Sequence, residues 1–210
     1  MKRHFADVNA GSFFREKKRK QEGYTAIALE KMKAEINPNL LKTVESEKFD
    51  NNLKCLISKW TGKHCSMSDC EGTRLVNKFI GHELHHPLTV FIIADDKNKF
   101  FEAFNLNQKD VLPASVPELV GFACISGAIS IVSELMNDEK TMSECSTELI
   151  AYAISSNNRD LALKVAHFFI DKGAKEPGLI YLYCFGKISL AREINSLFTE
   201  NVSGVKLSLT

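Results

Sequence analysis

A pattern that returns about every thirty residues limits this chain's possible folds more than any other feature. Glu118 to Met136 reads as a short apolar helix, a turn at Gly127, and a second helix carrying Ile131, Val132, Leu135 and Met136. The pattern opens again at Glu148 and turns at Asn157, then opens at Pro177 and turns at Gly186. Gly127 to Asn157 is thirty residues and Asn157 to Gly186 is twenty-nine. Such a period marks helix pairs that stack, because one pair alone cannot bury its own apolar side. Gly and Asn suit the turns, since both tolerate left-handed backbone. An earlier unit belongs to the series. Asp95 or Asp96 falls about thirty residues ahead of Gly127, His86-Pro87-Leu88-Thr89 opens a helix, and Phe100, Phe101 and Phe104 line the helix after it.

These units resemble degenerate ankyrin repeats. That family opens its first helix with Thr-Pro-Leu-His, keeps small residues inside it, turns at Gly, and closes with an apolar second helix. Here Ala123 and Cys124 stand at the small positions before Gly127, and Ala153 stands before Asn157. The run Phe168 to Ala174 is similar to the family's closing Leu-Leu-Leu-x-x-Gly-Ala. The chain departs from the family in its opening tetrapeptide, in the missing Asp-Gly of the hairpin tip, and in about one extra helical turn between Leu161 and Phe168.

The resemblance covers residues 86–198. It implies an all-α stack of helix–turn–helix repeats that binds other proteins through its connectors and the concave face of its first helices. Connectors of a stack project from one side. That makes Asn107, Lys109, Asp138, Lys140, Lys172 and Lys175 the candidate partner-binding residues. Ankyrin-like repeats behind a divergent helical region are also similar to secreted effectors of intracellular bacteria, which implies a host protein as partner.

Residues 23–85 read as a helical N-terminal region. A helix over 24–36 carries Ile27, Leu29, Met32 and Ile36 as a stripe and stops at Asn37-Pro38. A second, from about Leu40 to Trp60, repeats Leu53, Leu56, Ile57 and Trp60 at helical spacing. Residues 61–72 read as a loop. A third helix spans about 73–86, with Val76, Ile80 and Leu84 in one row and Leu75, Phe79, His82 and His86 in the next. The apolar run Leu88–Ala94 is short enough for a buried strand, but it sits in register with the repeats and reads as helix.

Residues 1–22 form a basic arm. Its Lys17–Lys20 run reads either as a nuclear-import signal or as a solvated helix start, and residues 199–210 form a polar tail. The net charge of +1 gives no pull toward nucleic acid or membrane. The longest nearly apolar run, Leu119–Val132, is too short and too rich in Gly and Ser to span a bilayer. The first residues lack the apolar core of a secretory signal. Six cysteines spread through a chain long enough to build a core fit the reduced thiols of a cytoplasm, and Cys124 and Cys184 read as core.

One short motif carries chemistry. His82-Glu83-Leu84-His85-His86 is similar to the His-Glu-x-x-His of zincin metalloproteases. Two histidines four apart on a helix lie about 40° apart around its axis, so both imidazoles reach one Zn²⁺. The Glu then polarises the bound water as general base. Pro87 directly after the second histidine and Gly81 directly before the first work against a continuous helix. A second zinc reading joins Cys65 and Cys70 to His82 and His86 as a Cys₂His₂ structural site. A third packs His82 on the Leu75–Phe79 face and leaves His85 in water. Three functions follow. The first is a protein-interaction module with no cofactor. The second is a zinc metalloprotease with Glu83 as base and His82 and His86 as ligands. The third is a binding domain stabilised by zinc.

Overall fold

The computed structural model describes residues 23–60, 71–107, 112–176 and 188–203, and every regular element among them is α-helical. The N-terminal region contributes α1 (residues 23–34), α2 (Pro38–Leu41), α3 (Ser46–Trp60) and α4 (Glu71–Gly81). Three helix pairs follow: α5 (Pro87–Ala94) with α6 (Lys97–Asn107), α7 (Val116–Ser126) with α8 (Ile129–Leu135), and α10 (Glu148–Ser155) with α11 (Arg159–Asp171). The short α9 (Glu139–Ser143) links the second pair to the third, and α12 (Ile188–Ser203) packs on α11. The unit read at Pro177–Gly186 lies outside the described residues, as do Cys184, the arm at 1–22 and residues 61–70 of the loop read over 61–72, whose last two residues, Glu71 and Gly72, instead begin α4.

Each pair turns at a residue with left-handed backbone. Asp95 has φ 50°, Gly127 φ 75° and Asn157 φ 67°. They stand thirty-two and thirty residues apart, which is the spacing read from the sequence. The Leu88–Ala94 run is helix, as its register implied. First helices pack on first helices, α5 on α7 and α7 on α10, while α6 meets α8 and α8 meets α11.

The N-terminal helices complete the core. Phe49, Leu53, Leu56 and Ile57 of α3 and Leu75, Val76, Phe79 and Ile80 of α4 are buried, with α3 against α5 and α4 against α7. The Phe79 and Phe122 rings stack with centroids 4.3 Å apart. A Cβ on Gly121 would come within 2.9 Å of Leu75 Cδ2 and 3.2 Å of the Tyr152 ring. The missing side chain is therefore what lets α4, α7 and α10 meet at one point. The result is three layers: α3 and α4, then α5, α7 and α10, then α6, α8 and α11.

Several boundaries differ from the sequence reading. Pro38 starts a helix as well as stopping one. It stands at the first position of α2, where its missing N–H is no loss, and the Asn39 amide donates to the capping Asn37 side chain at 2.9 Å. The helix expected from Leu40 to Trp60 is two helices broken at 42–45, where Val44 is buried and the Thr43 hydroxyl donates to the Leu40 carbonyl at 2.7 Å. Ile27 is 73% exposed while Leu29 and Ile36 are buried. Residues two apart point to different sides of a helix, so Ile27 and Leu29 could not share one stripe. The third helix ends at Gly81 rather than at 86.

Candidate functional site

The early end of α4 decides the geometry of the histidine motif. Residues 82–86 form a turn between α4 and α5, so His82 and His86 do not stand one helical turn apart on a common face. His86 instead caps α5. Its Nδ1 accepts from the Leu88 amide at 3.2 Å, and Pro87 occupies the first helical position. Burial holds the His86 imidazole below its ordinary value, with Glu83 pulling it up and His85 pushing it down. Leu84 is buried and pins the turn. His82 is exposed, not packed on the Leu75–Phe79 face, because the helix that would have carried it there has already ended. His85 is exposed as expected. Among the described residues, no three His, Cys, Asp or Glu side chains gather as a metal site, and Cys65 and Cys70 lie outside those residues.

Of the described thiols, Cys55 is exposed, while Cys124 and Cys145 are placed for packing. Cys124 is fully buried, and burial, with a smaller push from Cys145, drives its pKa up. Burial likewise drives Cys145 up to about 11, and such thiols carry little thiolate at neutral pH.

The candidate partner-binding residues fall in different situations. Asn107 ends α6, and Lys109 lies outside the described residues. Asp138 caps α9, accepting from the Lys140 amide at 3.1 Å and the Thr141 hydroxyl at 2.7 Å. Lys172 reaches from the end of α11 to Glu139 at 2.9 Å and lies 5.9 Å from the Phe168 ring centroid. Lys140 and Lys175 are exposed. Asp138 and Lys140 flank Glu139, the residue that Lys172 reaches, and Asp138 and Lys172 already hold intrachain partners.

Among the described residues, the first helices do not offer a concave face. Leu88 to Ala94 of α5, Leu119 to Ile125 of α7 and Leu149 to Ser155 of α10 are buried without interruption. A helix that is apolar on all sides needs cover on all sides. Here the second helices supply one cover, and α3 on α5 and α4 on α7 supply another. Two side chains lock the second cover down. Lys59 at the end of α3 donates to the Ser155 and Ser156 carbonyls at 3.3 and 2.8 Å, a cation at the C-terminus of α10. Glu118 of α7 accepts from Lys78 at 2.9 Å and Arg74 at 3.2 Å while closing a capping box with Ser115. Burial works against the Glu118 carboxylate, but the Lys78 ammonium and the Ser115 amide and hydroxyl outweigh it and hold its pKa at about 2.

The outer layer carries a broad concavity. A groove of about 940 Å³ runs between the start of α3, the α5–α6 turn, α8 and α11. Its floor is Asp95, whose carboxylate accepts from the Ser130 and Ile131 amides at 3.0 and 3.2 Å and faces Lys48 at 3.4 Å. Ala128 precedes α8 and has no side chain to cap it, so Asp95 of the preceding pair satisfies those amides. Lys97 and Glu134 pair at 3.3 Å across the rim. Glu45, Lys164, His167 and Asp171 line the groove with no ion pair among the described residues. A second hollow of about 700 Å³ between α6 and α8 shares Lys97, Asn98, Glu134 and Asn137 with it. Sequence reasoning passed over Lys164, His167 and Asp171. They form the polar row of α11 opposite Leu161, Ala162, Val165 and Phe169, and such a row reads like any solvated helix face.

No family model, no curated protein and no solved structure matches the chain. No helix among the described residues is long and apolar enough to cross a membrane.

Proposed function

We propose that this chain is a protein-interaction module built on degenerate ankyrin-like helix pairs, and that its partner reads the outer layer. Support for the repeat reading comes from the three left-handed turns at Asp95, Gly127 and Asn157 and from the matched packing of first on first and second on second helices. The observation that carries the choice of surface is the uninterrupted burial of α5, α7 and α10, with α3 lying on α5 and α4 on α7. A partner meets the groove of Glu45, Lys164, His167 and Asp171, where four ionisable side chains stand ready for new contacts. Unengaged charge of both signs favours specificity over bulk attraction, because a wrong partner leaves a desolvated charge unpaired. The reducing cytoplasm read from the cysteines is consistent with this role.

The test uses the full chain as bait and compares four forms by quantitative proteomics. These are wild type, Lys164→Glu with Asp171→Lys in the groove, Lys140→Glu with Lys175→Glu on the connectors, and Lys54→Glu on the exposed side of α3. Proteins retained by the other three forms and lost with the groove variant are the expected result. A retained set that the groove variant leaves unchanged overturns the groove as the contact surface. Loss with the connector variant alone moves that surface to the connectors.

A further inference from the structure

We draw no further inference here: the strongest candidate, the recess between α3, the end of α7 and the α10–α11 turn, carries nothing because its two cations are already engaged, Lys59 on the Ser155 and Ser156 carbonyls and Arg159 on Glu193, which leaves the N-terminus of α11 with no second observation that points to a ligand.

Discussion

Helices α5 and α11 belong to successive layers of the same molecule and differ in every respect that bears on binding. From Leu88 to Ala94, α5 is buried at each residue, and even Thr89 is fully enclosed. Helix α11 buries Leu161, Ala162, Val165, Ala166 and Phe169 and turns Lys164, His167 and Asp171 outward. The first kind of helix can only hold the structure together, and the second can hold it and still face a partner. A stack of pairs alone would leave its first helices half open. The additional layer of α3 and α4 closes that side and so moves recognition to the other one.

The sharpest way to break this comparison is at the contact between the cover and the inner layer. Phe79→Ala removes a fully buried ring stacked on Phe122 and should cost about 3–5 kcal/mol in chemical denaturation. A loss below about 1 kcal/mol would mean that α4 is only loosely docked and that the first helices can be uncovered. Gly121→Val places two methyl groups where even a Cβ crowds Leu75 and Tyr152, and should cost about 1–3 kcal/mol with an unchanged helical circular dichroism spectrum. If it is tolerated without loss, the close approach of α4, α7 and α10 is not as described.

Smaller effects sharpen the contrast. Glu118→Gln should cost about 1–2 kcal/mol at neutral pH, since it weakens both the capping box and the tie to Lys78. The folded chain favours the Glu118 carboxylate, so its contribution is complete above the ordinary value of 4.5 and is lost as pH falls toward about 2. Urea titrations between pH 6 and pH 2 should therefore show a steeper loss for wild type than for Glu118→Gln, and parallel curves would rule this linkage out. Asp95→Ala leaves the start of α8 uncapped and places a Cβ residue without a polar side chain at φ 50°, for about 1 kcal/mol. Asp95→Asn, which keeps an acceptor and tolerates left-handed backbone, should recover most of that in the same assay.

Much of this fold is legible in the sequence, and the physical reason is periodicity. The turn residues Asp95, Gly127 and Asn157 stand out because left-handed backbone selects few residue types, and the apolar runs of α5, α7 and α10 mark the first helix of each pair. The candidate site was less legible. His82-Glu83-Leu84-His85-His86 has the right letters for a zinc-binding helix, but Gly81 and the proline after His86 end one helix and start another inside it. Letters at i and i+4 carry chemistry only if the backbone between them is helical. The groove left no local mark, because its lining comes from four separate stretches of chain. The cover over the first helices was also hidden, since the stripes of α3 and α4 say that they are buried but not against what.

The cap that Asp95 supplies to α8 gives the molecule a direction. Helix α8 has seven residues and no cap of its own, so by itself it is too short to persist in water. Its first turn becomes stable only once the α5–α6 turn stands in place beside it. The residue that must wait is thus later in the chain than the one it waits for, and a ribosome delivers them in that order. Assembly that proceeds with synthesis meets no missing part at this step, whereas refolding from the whole denatured chain must find the same contact across thirty-five residues.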